Sequence, residues 1–206
     1  MHLCIDTISS AAGITLVGSK FATFLPLDPM NSSAGIILTI DKALKKCKAE
    51  LADLKGVFVI KGPGSFTGLR VGLSVANQFA HQLKIPITGL RTDEWWMYRA
   101  NQSDVTYLQS MNREEVFVSK NGETSIKPLK NVAPCTWFGQ LKAEHRGELS
   151  KDFEEIKKID SVEGTWQKVV KELADSHAER KTYDLIEPFY GKEPSITKSK
   201  KPHILA

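Results

Sequence analysis

Apolar residues open this chain in short bursts separated by turn residues. Leu3-Cys4-Ile5 stops at Asp6-Thr7, then Gly13-Ile-Thr-Leu-Val17 and Phe21-Ala-Thr-Phe-Leu25 follow on either side of Gly18-Ser19-Lys20. Runs of this length and spacing predict a meander of three antiparallel strands. The period then changes. Ile37, Ile40, Leu44, Cys47 and Leu51 recur at steps of three and four, which marks one face of a helix. Asn31, Ser32 or Ser33 can cap its start, and Leu54-Lys55-Gly56 ends it. Val57-Phe-Val-Ile60 is apolar throughout, as a strand buried on both faces is. A second helix is predicted over roughly Phe66 to Leu83, and Lys84 to Leu90 returns as a strand. Strand, helix and strand with a short return make a parallel pair beside the meander. The first 90 residues thus have the element order of a ribonuclease H-like half-domain, a mixed sheet flanked by helices.

The second half is less regular. Val105 to Leu108 predicts a strand, and Glu115–Ser119 and Glu123–Ile126 flank Asn121-Gly122, a strong hairpin signal. Glu155 to Ile159 reads as another strand. Asp160 with Glu163 three residues on forms a capping box. It opens a helix with Trp166, Val169, Val170, Leu173 and His177 on one face, where His177 reads as a rim residue rather than a ligand. No internal repeat is visible. A boundary is expected near residues 92 to 103, around Trp95-Trp96, dividing the chain into an N-terminal lobe, 1–95, and a smaller, diverged C-terminal lobe, 96–206.

Between the fourth strand and the second helix stands Lys61-Gly-Pro-Gly-Ser-Phe-Thr-Gly-Leu-Arg70. A phosphate-cradling Walker loop counted from Gly62 needs its second glycine where Thr67 stands, with a lysine next, and a dinucleotide fingerprint needs a third glycine at that same place. Neither motif is present. What remains is a tight turn with Ser65 as N-cap, in which Gly64 is expected to need positive φ. Free N–H groups there would suit an anion, which makes Asp6, Gly62, Gly64, Ser65 and Arg70 candidate anion or nucleotide residues. The alternative is that the glycines merely permit the turn and Asp6 anchors it. The helix that follows has an unusually wide apolar arc: one stripe of Phe66, Leu69, Leu73, Ala76, Ala80 and Leu83, and a second of Val71, Val75 and Phe79 with Gly68 and Gly72. One stripe is enough to dock on a sheet. The second predicts a further covering layer, from the first helix, the second half of the chain or another protein, and the two glycines would let a backbone come close.

Composition adds limits. The chain has 206 residues, 41% hydrophobic and 25% charged, a soluble globular balance with no apolar run of membrane-spanning length and no basic leader, so a cytoplasmic location is expected. Cys4, Cys47 and Cys135 are scattered and read as reduced thiols. The five histidines form no zinc motif. Net charge is +4, with the excess gathered in Lys192, Lys198, Lys200, Lys201 and His203, a solvated tail or a polyanion contact.

The stretch G-P-G-S-F-T-G-L-R-V-G-L-S, followed by K-I-P-I-T-G-L, resembles the signature of the TsaB (YeaZ) family. The opening L-C-I-D-T, the segment Met111-Asn-Arg-Glu-Glu-Val-Phe117, and Glu187-Pro-Phe-Tyr190 with Pro194-Ser-Ile-Thr197 are similar to further family segments, although Asn112 stands where an aspartate is usual. The resemblance covers residues 1 to 91 closely and the rest in patches. It implies an actin-like ATPase (ASKHA) fold of two ribonuclease H-like lobes. It also implies a non-catalytic subunit that activates a TsaD-type transferase in forming N6-threonylcarbamoyladenosine at position 37 of ANN-decoding tRNAs. TsaD carries a metal-binding H-x-x-x-H after the equivalent strand, where this chain reads Thr92-Asp-Glu-Trp-Trp96. No cofactor of its own is therefore expected, with ATP and a metal ion held by partner subunits. The expected partners are a TsaD-type transferase and a TsaE-type ATPase, a second copy when the chain is alone, and tRNA only through the complex. In the family the first lobe's two helices meet TsaD, which nominates Ile37, Ile40, Leu44, Phe66, Leu69, Leu73, Val75 and Phe79 as interface residues. Two alternatives are an independent ATP-dependent kinase on the same fold and a metallopeptidase. The first lacks a second phosphate-binding turn in residues 104–190, and the second lacks the histidines.

Overall fold

The computed structural model describes residues 1–27, 32–178 and 185–191. The meander forms as predicted: β1 (His2–Asp6), β2 (Gly13–Val17) and β3 (Ala22–Pro26) pair antiparallel. Then come α1 (Ser32–Lys46), β4 (Gly56–Ile60), α2 (Phe66–Leu83) and β5 (Ile87–Leu90), with β4 parallel to both β1 and β5. The last strand is shorter than its apolar run. Lys84 adopts the left-handed conformation that caps α2, so it and Ile85 belong to the helix exit. The α1 face is also rephased. Ile36, Ile40, Ala43 and Leu44 are buried, whereas Ile37 and Leu38 point outward and Leu51 leaves the helix in an exposed turn. Ile36 next to Ile37 let two phases fit the spacing, and the sheet selects one.

The second half holds α3 (Thr92–Ala100), β6 (Thr106–Ser110), β7 (Glu115–Lys120), β8 (Glu123–Pro128), β9 (Thr136–Gln140), α4 (Ala143–Glu148), β10 (Glu154–Glu155) and α5 (Val162–Ala178). The hairpin is confirmed: Asn121 and Gly122 both have positive φ between β7 and β8. The strand predicted over 155–159 shrinks to a two-residue pairing with β9. The capping box is replaced. Ser161 Oγ accepts from Gly164 N at 3.1 Å, while the Asp160 carboxylate pairs with Lys168. The Asn31, Ser32 and Ser33 caps, the His177 side chain, and the segments carrying Pro194–Thr197 and the basic cluster Lys192, Lys198, Lys200, Lys201 and His203 lie outside the described residues.

The two sheets run β3-β2-β1-β4-β5 and β8-β7-β6-β9-β10. In each, an antiparallel three-strand meander is extended from its first strand by two parallel strands. This is one topology twice, the actin-like pairing of ribonuclease H-like lobes. The repeat lives in backbone pairing and not in side chains, which is why the sequence shows none. One core fills the space between the first sheet and α1 and α2, around Leu3, Ile5, Ile40, Leu69 and Leu73. A second joins the halves, bringing Cys4, Phe58 and Ile60 together with Trp95, Tyr107, Phe117, Phe138 and Trp166. Helix α5, late in the chain, packs against β2 and β3 of the first sheet as well as α3. No helix among the described residues is long and apolar enough to cross a membrane.

Candidate functional site

The β1–β2 turn and the glycine turn before α2 meet at one edge of the first lobe. Asp6, 1% exposed at the end of β1, organises the first turn. Its Oδ1 accepts from the backbone N–H of Ile8 and of Ser9, both at 3.0 Å, and its Oδ2 accepts from the Ser9 hydroxyl. Burial raises the Asp6 pKa above the ordinary carboxylate value, and these hydrogen bonds and the Arg99 charge only partly oppose that shift. Asp6 is thus bound to its own turn.

In the glycine turn the constrained position is Gly62, not Gly64. Gly62 has φ +112, and a Cβ there would run into the Phe189 carbonyl. Gly64 has no positive φ; it is small because a Cβ would lie 2.8 Å from Ile8 Cδ1. Ser65 is the N-cap and accepts from Gly68 N at 3.4 Å. The turn's carbonyls face inward: Gly62 O takes Thr92 N (2.8 Å), and Pro63 O takes Thr92 Oγ1 (2.7 Å) and Gln109 Nε2 (3.2 Å). Arg70 reaches the Tyr190 hydroxyl at 3.5 Å. Gly68 and Gly72 do admit another backbone, and it is the chain's own. A Cβ on Gly68 would stand 2.5 Å from Thr7 O, and one on Gly72 would meet the Thr7 hydroxyl. Thr7 Oγ1 donates to Gly68 O at 2.7 Å.

The residues nominated for an interface divide by burial. Ile40, Leu44, Leu69 and Leu73 are core residues, 0–6% exposed and packed with the first sheet. Val75 and Phe79 are partly buried against that core. Ile37 (49% exposed) and Phe66 (61%) remain open. The wide apolar arc of α2 is covered largely within the chain. On one flank lies α1. On the other, residues 185–191 cross the helix as a strap. Asn77 grips the Ile186 backbone twice (Nδ2 to O at 3.0 Å, N to Oδ1 at 2.9 Å), Phe189 N donates to Lys61 O at 2.7 Å, and Tyr190 stacks on Phe66 at 4.7 Å. The outward stripe is polar: Thr67, Arg70, Ser74 and Gln78.

Between the lobes lies a cleft of about 840 Å³, lined by Thr7–Ala12, Phe24, Pro26, Leu27, Ser65, Thr67, Gly68 and Gln140. Among the described residues none of the lining side chains is charged, so these offer no counter-charge to a triphosphate. Of the candidate anion residues only Ser65 lines it; Asp6 is buried beneath its turn and Arg70 lies against the strap. Where β5 passes into α3, Asp93 is held by Arg91 (3.1 and 3.0 Å) and by Ser119 Oγ (2.6 Å). Trp95 and Trp96 are core residues under the Arg99 guanidinium, 5.1 and 4.7 Å from the ring centres. A Ser110 Oγ–His145 Nδ1 contact of 2.7 Å is enclosed: His145 is 1% exposed, its Nε2 meets Arg113 O at 3.0 Å, and Ser110 Oγ also accepts from Lys142 N. Among the described residues no group of three or more His, Cys, Asp or Glu is placed to hold a metal ion. The sequence reading missed Thr7, Asn77, Gln109 and Gln140; polar residues inside apolar strands were a signal for the last two, and nothing marked Asn77.

Residues 30–133 match the family model for TsaD, tRNA N6-adenosine threonylcarbamoyltransferase. The chain is 29% identical over 153 residues to the tRNA threonylcarbamoyladenosine biosynthesis protein TsaB of Bacillus subtilis (strain 168), covering 70% of this chain and 67% of that protein. It is likewise 29% identical over 186 residues to the protein of the same name from Buchnera aphidicola subsp. Schizaphis graminum, covering 83% and 80%. A crystal structure of a Pseudomonas aeruginosa protein with similarity to peptidase YeaZ superposes with a TM-score of 0.73 at 18% identity, over 93% of this chain and 99% of that one.

Proposed function

This chain belongs to the TsaB (YeaZ) branch of the TsaD family, and from that membership we propose that it is a non-catalytic subunit of tRNA N6-threonylcarbamoyladenosine synthesis. In this reading it binds and activates a TsaD-type transferase acting on position 37 of ANN-decoding tRNAs, with a TsaE-type ATPase as third component, and meets tRNA only through the complex. The observation that carries it is the likeness to TsaB over 83% of the chain. Two features support an accessory role. The segment Thr92–Trp96, where the transferase places metal-binding histidines, is given over to an ion pair and to core packing. The described residues that line the interlobe cleft have uncharged side chains. ATP and a metal ion then belong to the partner subunits. The partner surface is the outer side of α1 and α2, with Ile37, Leu38 and Phe66 as its exposed apolar members, and the same surface pairs with a second copy when the chain is alone.

The test is reconstitution. The chain alone, a TsaD-type transferase alone, and the two with a TsaE-type ATPase are each given tRNA and threonylcarbamoyl-adenylate. Modification is expected only where the transferase is present, and faster with this chain. Modified tRNA from this chain alone would overturn the non-catalytic assignment. A transferase whose rate and elution are unchanged by the chain would overturn the partnership.

A further inference from the structure

Four hydrogen bonds run in series beneath the interlobe cleft. Ser10 N donates to Gln140 Oε1 (2.6 Å), Gln140 Nε2 to the Tyr107 hydroxyl (3.0 Å), that hydroxyl to Gln109 Oε1 (2.7 Å), and Gln109 Nε2 to Pro63 O (3.2 Å). The series leaves the first lobe at the β1–β2 turn, crosses two neighbouring strands of the second lobe, and re-enters the first lobe at the glycine turn. Its geometry is set by register, since Gln109 and Gln140 are paired across β6 and β9. Tyr107 is fully buried and Gln109 nearly so, whereas Ser10 and Gln140 line the cleft. One end is therefore open to a ligand and the other is sealed in the core.

We propose that Gln140, Tyr107 and Gln109 form a relay that couples the mouth of the cleft to the start of α2. Every member both accepts and donates in the same sense, so each bond polarises the next and loss of one weakens the others. Pro63, where the relay ends, stands two residues before the Ser65 cap of α2. A ligand that takes the Ser10 N–H with a neutral acceptor removes the donor that holds Gln140. The Tyr107 hydroxyl and the Gln109 amide then lose their fixed directions, and the Pro63 carbonyl keeps only Thr92. The cleft is thereby joined to the helix that begins the outer surface of the first lobe. The inference stands on the hydrogen bonds alone and does not depend on the proposed function.

Amide hydrogen exchange on the full chain tests it, with global stability measured in parallel by urea unfolding. Gln140→Leu should speed exchange by about tenfold, the equivalent of roughly 1.4 kcal/mol, at Ala11 and Ala12 and also at Gly68 and Leu69. Tyr107→Phe, which keeps the ring, should act at the same two places, and the double variant should add little to either single one. Gln140→Glu separates the ends. The new carboxylate still accepts from Ser10 N, but the Tyr107 hydroxyl turns to it and leaves Gln109, so faster exchange should appear at Gly68 and Leu69 alone. Faster exchange confined to the β1–β2 turn in Gln140→Leu, or additive effects in the double variant, would overturn the coupling. So would a uniform rise that includes β1 and β4, which would show general loosening.

Discussion

Replacing Gly72 by alanine sets two effects of opposite sign against each other. Gly72 sits inside α2, where alanine is favoured over glycine by about 1 kcal/mol. On propensity alone Gly72→Ala stabilises the protein. The tertiary structure predicts the reverse, because the added Cβ would fall on the Thr7 hydroxyl and stand 3.0 Å from its Cγ2. Thr7 is 7% exposed and its hydroxyl already donates to Gly68 O at 2.7 Å, so the side chain has little room to turn. Overpacking of this kind costs about 1–3 kcal/mol. Driving the hydroxyl from its acceptor adds about 1–3 kcal/mol. After the helix gain is subtracted, the expected loss is roughly 3 kcal/mol, which for a chain of this size lowers Tm by about 6–12 °C. The assay is urea unfolding followed by circular dichroism, run on Gly72→Ala, Thr7→Ala and the double variant. Thr7→Ala alone is destabilising, but in its background Gly72→Ala should cost much less than in the wild type, because the two nearest atoms are gone and only the residue 7 Cβ, at 3.2 Å, still presses on the new methyl. Gly35→Ala is the control: it lies in α1 with nothing within 4 Å of its Cβ, and should gain up to about 1 kcal/mol. A stabilising Gly72→Ala in the wild-type background would show that α2 and the β1–β2 turn are not in tight contact at Thr7.

Three further outcomes are expected. Leu73→Glu should fail to fold, since Leu73 is 4% exposed in the core, whereas Ile37→Glu, at a residue 49% exposed on α1, should fold and bind a TsaD-type partner about tenfold more weakly, a loss of roughly 1.4 kcal/mol; equal soluble yield and melting of the two variants would contradict the assignment of faces. Asp6→Asn keeps an acceptor for Ile8 and Ser9 and sheds a buried charge, while Asp6→Ala leaves those donors unpaired at about 1–3 kcal/mol; because burial raises the folded pKa of Asp6, its contribution is greatest below the ordinary carboxylate value and falls as pH rises through the folded value, so Asp6→Asn should compare best with wild type at neutral pH, and a variant as unstable there as Asp6→Ala would refute this. Burial, with the hydrogen bond to Glu172, pushes Tyr98 up to about 12 from 10.0, so its contribution is complete below pH 10 and is lost as pH climbs toward 12; Tyr98→Phe should flatten the stability profile in that window, and an unchanged profile would show that Tyr98 does not report it.

Local pattern determined a good deal of this protein. The meander, the crossover, α2 with its Ser65 cap and the Asn121-Gly122 hairpin follow from side-chain period and turn chemistry, which act over a few residues. Asp6 as an anchor of its own turn was legible for the same reason, since its partners are two and three residues away. Other features needed the assembled chain. Ile36 and Ile37 both suited a helical face, and only the sheet beneath α1 decided which was buried. The width of the apolar arc on α2 was legible, and the first helix and the second half of the chain were both open as its cover; that both serve, with residues 185–191 reaching Asn77 across 109 positions of sequence, was not. Gly62 rather than Gly64 is the constrained place, by its positive φ and by the Phe189 carbonyl, which comes to it from the far end of the chain. The relay from Ser10 to Pro63 is the extreme case, with a first step spanning 130 residues. Period and propensity are set by a residue's near neighbours along the chain. Burial, close approach and hydrogen bonds between lobes are set by which surfaces meet when two sheets, their helices and a strap pack together.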